Sequence, residues 1–172
     1  MLVALVIMGS DFCFSVTARS SIFMPEVPLL ALISPSVPLL VPLFLHFGLV
    51  VGLYAALTWA RLHAVRRGEA CKTDFARADG DPPLSARVQR NLANQFEAPV
   101  FAWIAAALLI LTANVTVWDV AAAWVFLIGR LIHTAVQCGG DNVGLRGQVF
   151  TINFLGLLWL MAHAFLAVLG VL

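Results

Sequence analysis

The stretch VPLLALISPSVPLLVPLFLHFGLVVGLYAALTWA, from Val27 to Ala60, contains no Asp, Glu, Lys or Arg. A helix needs about 20 mostly apolar residues to cross the hydrocarbon core of a bilayer, and this run supplies them. Pro35, Pro38 and Pro42 crowd its start, so the helix is expected over about 38–62, with proline near the first turn. Three more stretches share the character. Ala98 to Trp118 is uncharged, and the polar run Arg87 to Glu97 before it keeps helical spacing, so a second helix is expected over about 85–112, with Ser85 as its N-cap. A third is expected over about 120–137 and a fourth over about 147–170.

The whole composition agrees. Of 172 residues, 62% are apolar and 11% are charged, and the mean hydropathy is +0.97. A water-soluble fold of this size cannot hide so much apolar surface. The net charge of +1 offers no basic face to a nucleic acid. Cys13, Cys71 and Cys138 stand far apart, with neither zinc-ligand spacing nor a disulfide frame, and no metal is expected. The expected fold class is all-α: an integral membrane four-helix bundle occupying 35–172. Residues 1–34 form an N-terminal extension, expected to be peripheral or poorly ordered. Met1 to Met8 is apolar but lacks the positive flank of a signal peptide.

The connections set the orientation. Arg61, Arg66, Arg67, Lys72, Arg77, Arg87 and Arg90 crowd the first connection, Ala113 to Asp119 has no Lys or Arg, and the third carries Arg146. The positive-inside rule places the first and third in the cytoplasm and both termini outside.

Ionisable groups within membrane helices are costly, and they mark functional sites by default. Arg87, Arg90, Asn94 and Glu97 sit at i, i+3, i+7 and i+10, within about 80° of one another on a helix. Arg130, His133 and Gln137 form a second stripe, and Arg146 and Asn153 a third. These stripes converge at the cytoplasmic side. Two readings follow. Either the groups bond one another as helix glue, or the excess of Arg90, Arg130 and Arg146 over Glu97 serves a small anionic ligand. His46 and His163 fall at a similar depth, about 12 Å from the outer ends of their helices. That is one haem-ligand arrangement, but no second pair accompanies it. Trp118, beside the outer turn, suits an interfacial belt.

The segment Arg90-Asn91-Leu92-Ala93-Asn94-Gln95-Phe96-Glu97-Ala98-Pro99-Val100-Phe101 resembles the second-helix signature of the MAPEG superfamily, membrane-associated proteins in eicosanoid and glutathione metabolism. Arg130-Leu131-Ile132-His133, then Asn142 and Arg146-Gly147, resemble its third helix and following loop. The resemblance covers about 37–172 and is nearest to the poorly characterised bacterial branch. It implies a homotrimer with glutathione as co-substrate between subunits. By position it makes Arg90, Asn94, Glu97, Arg130, His133 and Gln137 the binding residues, with Glu97 facing the amino group and Arg130 either holding the carboxylates or ordering the site. Arg146 becomes the catalytic arginine near the thiol. The implied activity is that of a transferase or peroxidase acting on lipophilic electrophiles or hydroperoxides dissolved in the bilayer, in a bacterial inner membrane. Two positions depart from the pattern. Gly147 stands where prostaglandin-forming members have serine, and Gln137 where eicosanoid-metabolising members often have tyrosine. They keep open an alternative: a non-enzymatic protein of the same fold that binds a lipid headgroup or another anion, or serves as a structural subunit.

Overall fold

A computed structural model describes residues 29–77, 79–140 and 142–171, with side chains from Ser36 onward. Most of the expected N-terminal extension lies outside the described residues. The elements are α1 (Leu29–Arg66), a short 3-10 helix (Asp74–Ala76), α2 (Pro83–Asn94), α3 (Ala98–Leu111), α4 (Val117–Gly139) and α5 (Val143–Val168). Four stretches are long and apolar enough to cross a membrane: Ser36–Arg66, Pro83–Leu111, Val117–Gly139 and Val143–Val168. The second is α2 and α3 together.

The helix ends differ from the sequence expectation for local reasons. The prolines do not open α1; the helix runs through them from Leu29. Proline is tolerated inside membrane helices because neighbouring groups satisfy the freed backbone. Ser85 is not a cap: α2 starts at Pro83, and the Ser85 hydroxyl donates back to the Pro82 carbonyl at 3.1 Å. Thr116 and Asp119 form a capping box that starts α4 at Val117, three residues earlier than expected. Asn142 caps α5, its Oδ1 accepting from the Leu145 N–H at 3.0 Å, so that helix begins at Val143.

The expected second helix is broken in two between Asn94 and Ala98. Pro99, in the first turn of α3, has no N–H to give, and its ring excludes the carbonyl four residues back. Glu97 takes the non-helical angles φ −91 and ψ −112 at the junction.

Packing relies on small residues. Leu39 and Leu43 of α1 meet Ala102, Ala105, Ala106 and Leu109 of α3, Ala123 and Phe126 of α4, and Leu160 and Ala164 of α5. A second cluster joins Val50, Leu53 and Leu57 to Val88 and Leu92 of α2. Helices α4 and α5 approach most closely at two glycines. A Cβ on Gly129 would lie 2.6 Å from the Cβ of Asn153, and one on Gly156 would lie 2.7 Å from the carbonyl oxygen of Ala122. Small residues at such crossings let backbones approach where apolar association has no water to drive it. The large apolar side chains point outward instead, among them Phe44, Phe47, Leu155 and Phe165. This exterior is the lipid-contacting surface of an integral multi-pass membrane protein.

The connection between α1 and α2 is strapped down. Arg61 donates from Nε and Nη2 to the two Asp81 carboxylate oxygens at 2.8 and 2.6 Å, and its guanidinium lies 5.1 Å from the centre of the Phe75 ring. The Arg61 hydrogen bond holds the Asp81 carboxyl below the ordinary carboxylate range.

Candidate functional site

The break between α2 and α3 frees backbone groups inside the bundle, and a buried polar network takes them up. Gln95 is its hub. Its Oε1 accepts from His46 Nε2 at 3.0 Å and from Arg130 Nε at 3.1 Å. Its Nε2 donates to the Asn91 carbonyl at 3.2 Å and to Asn91 Oδ1 at 3.1 Å. Arg130 Nη2 donates to the Asn94 carbonyl at 2.9 Å. The break is thus held from both sides, by α1 through His46 and by α4 through Arg130.

Directly beside the break lies a cavity of about 490 Å³. Arg90 and Asn94 reach it from the second half of α2, and Glu97 from the junction. His133 and Gln137 reach it from the last turns of α4, and Arg146 from the first turn of α5. Every residue expected at the site except Arg130 therefore lines one space. Gly147 also lines it, and a Cβ there would meet nothing within 4 Å.

Arg130 stands apart from the cavity lining. It is fully buried; its Nε and Nη2 donate to Gln95 and the Asn94 carbonyl, while Nη1 has no hydrogen-bond partner. Its position is that of a group that fixes the break, and with it the directions of Asn94 and Glu97. Asn153, on the expected polar stripe of α5, packs against Gly129 and donates to the Val149 carbonyl at 3.3 Å. His46 and His163, the pair at similar depth, belong to separate networks. His46 serves Gln95, while His163 Nδ1 sits 2.8 Å from Asp119 Oδ1. Among the described residues, no three His, Cys, Asp or Glu side chains come together as a metal site.

Three structural residues escaped the sequence reading. Gln95 had a local signal, because it stands four residues before Pro99, where a helix loses a hydrogen bond. Asn91, wholly buried, supports Gln95 and had none. Asp119 had the Thr-x-x-Asp capping pattern. It is fully buried, accepting from the Thr116 N–H and hydroxyl through Oδ2 and from Trp159 Nε1 through Oδ1.

The electrostatics of the cavity follow from this roster. Arg90 and Arg146 bring two guanidinium groups, against one carboxylate from Glu97. Among the described residues neither arginine has an ion-pair partner. His133 and Gln137, each at least 96% buried, retain polar atoms without partners at Nδ1 and Oε1. A wall of this kind suits a small ligand with more than one anionic group, a single ammonium, and amide or hydroxyl groups between them.

Four membrane-length stretches enclosing a cationic polar cavity at one end of the bundle define a class: integral membrane proteins with a polar ligand site set into their helices. The family model for the MAPEG family matches residues 39–166, and the chain belongs to that family. No curated protein and no solved structure matches it.

Proposed function

We infer that the chain is a glutathione-dependent membrane transferase or peroxidase acting on lipophilic electrophiles or hydroperoxides. The observation that carries this reading is the meeting of Arg90, Asn94, Glu97, His133, Gln137 and Arg146 around one cavity. Glutathione has two carboxylates and one ammonium. Arg90 and Arg146 suit its anionic groups, Glu97 its ammonium, and Asn94, His133 and Gln137 its peptide groups.

The chemistry turns on the thiol. A free thiol ionises near a pKa of about 8.5, so little thiolate exists at neutral pH. The Arg146 guanidinium and the positive N-terminal end of α5 both favour the anion. In conjugation, the sulfur lone pair forms a carbon–sulfur bond and the leaving group departs with its electron pair. In peroxide reduction, the thiolate takes the terminal oxygen and the other fragment leaves as an alcohol after protonation. A second thiol then yields the disulfide and water. The protein contributes binding and charge, and no nucleophile of its own is required.

Arg130 acts in this reading as a positioning residue. The homotrimer rests on the likeness to the MAPEG family; the physical argument beside it is that one small bundle can hardly enclose a tripeptide, so a neighbouring subunit would close the open side. The cavity faces the cytoplasm of a bacterial inner membrane, with both termini outside.

The test is thiol conjugation and hydroperoxide reduction in detergent, on wild type and Arg146→Ala, with glutathione binding followed by calorimetry on wild type, Arg90→Ala and Glu97→Gln. Activity lost in Arg146→Ala, with binding weakened in the other two, is expected. Saturable binding with neither activity above background would favour the second reading, a non-enzymatic anion or lipid-headgroup binder of the same fold. Gln137 and Gly147 at the cavity wall are what favour that alternative.

A further inference from the structure

A second cavity, of about 310 Å³, lies where α1 leaves the apolar layer and α2 begins. The chain is free of Asp, Glu, Lys and Arg from Val27 through Ala60, and then brings Arg61, His63, Arg66 and Arg67 within two turns. This cavity therefore sits at the level where a bilayer changes from acyl chains to headgroups. Its outer rim is apolar and open, with Trp59 60% and Leu84 44% exposed. The rest of the lining is mixed, with Ala60, Ala64, Pro82 and Pro83 beside the polar His63, Arg67, Glu69 and Ser85. The His63 ring stacks on Trp59 with centroids 5.1 Å apart and planes 11° from parallel, and Arg67 and Glu69 complete the wall.

The charges in this cavity are separable. Arg61 and Asp81 nearby are locked together at 2.6 Å. Arg67 and Glu69 are not: their closest approach is 3.8 Å, and both side chains are more than half exposed. A charge-assisted hydrogen bond closes to about 2.7–2.9 Å. The pair is a loose, exposed contact, so an anionic group can take up Arg67 and a cationic group Glu69 once the two side chains swing apart. The start of α2 faces the same space without a side-chain cap, and its positive end adds to the field at an anion.

We propose that this cavity holds the headgroup of a phospholipid bearing a primary ammonium, of the phosphatidylethanolamine type. The phosphate accepts from Arg67 and from a His63 ring N–H. The ammonium donates to the Glu69 carboxylate, and the acyl chains leave past Trp59 and Leu84 into the bilayer. A phosphatidylglycerol headgroup would set an uncharged glycerol against Glu69. A phosphatidylcholine headgroup has no N–H to donate. A soluble phosphate ester would gain nothing from the apolar rim. The site is separate from the Arg90–Arg146 cavity, so it stands whether or not the chain is an enzyme.

Native mass spectrometry of the detergent-purified protein, given equimolar phosphatidylethanolamine, phosphatidylglycerol and phosphatidylcholine, tests it. Wild type should retain the ethanolamine lipid several-fold over the other two, and excess glycerophosphoethanolamine, which lacks acyl chains, should not displace it. Arg67→Gln should lower retention of all three, and Glu69→Gln should abolish the preference for ethanolamine over glycerol. Both side chains are exposed, so these variants fold. Equal or greater retention of phosphatidylglycerol by wild type would overturn the proposal. So would an unchanged ranking in both variants, or displacement by the soluble headgroup.

Discussion

Alanine at Gly129 should loosen the bundle and the cavity together. The added Cβ would stand 2.6 Å from the Cβ of Asn153 and 2.9 Å from its Cα and N. Carbon atoms are comfortable at about 3.5–4.0 Å, so α4 and α5 must part by roughly 1 Å. Two of the three atoms met are backbone, and rotating the Asn153 side chain gives no relief. Overpacking of this kind costs about 1–3 kcal/mol, and alanine returns at most about 1 kcal/mol of helix propensity. Against a Gly-to-Ala change at an open helical position, which gains the same propensity, the deficit is therefore about 1–3 kcal/mol, or roughly 2–12 °C in Tm for a chain of this size. The same movement separates His133 and Gln137 on α4 from Arg146 on α5, so glutathione affinity should fall as well. Gly52→Ala is the control, because a Cβ there meets nothing within 4 Å in the middle of α1. The assay is thermal unfolding in detergent, with glutathione titrated into each protein. A Gly129→Ala protein as stable as Gly52→Ala would refute the idea that this crossing fixes the spacing of α4 and α5.

Asp119→Ala should cost about 3–5 kcal/mol, because it strands the Trp159, His163 and Thr116 donors inside the bundle, and the loss should show as an early melt of purified protein. Gln95→Leu strands His46 Nε2, Arg130 Nε and the Asn91 amide at once; it should lower the yield of folded protein in detergent far more than Phe96→Leu, on an exposed neighbour. Acid should weaken the strap between α1 and α2. Because the Asp81 carboxyl is held below its unfolded value of about 3.9, its contribution is complete above that pH and disappears as pH falls through the folded value. Asp81→Asn should remove this acid limb from a plot of Tm against pH, at a cost of about 1–3 kcal/mol at neutral pH.

The sequence alone determined that this is a membrane bundle. Mostly apolar runs of about 20 residues or more satisfy their backbone in lipid as helices and are too long for barrel strands, so all-α architecture and the number of crossings followed from hydropathy. Helical spacing put Arg90 and Asn94 on one face, and Arg130, His133 and Gln137 on another, before any packing was known; Glu97, expected on the first face by the same spacing, reaches the cavity from a break in the helix instead. Periodicity assigns a residue to a face, but it does not say how deep the face is buried or which neighbour meets it. Chain position set Arg130 somewhat deeper than Arg146, but it did not name the groups each would meet. Tertiary structure separated them, sending Arg130 to the Gln95 hub and leaving Arg146 on the cavity wall. An unbroken helix was expected across Pro99; the structure breaks it at Glu97, and packing brings His46, far away in the chain, to help hold the break. Hydropathy is a property of each segment by itself. The partner of a buried polar group is a property of the assembled bundle, and its identity depends on which helices meet at that depth.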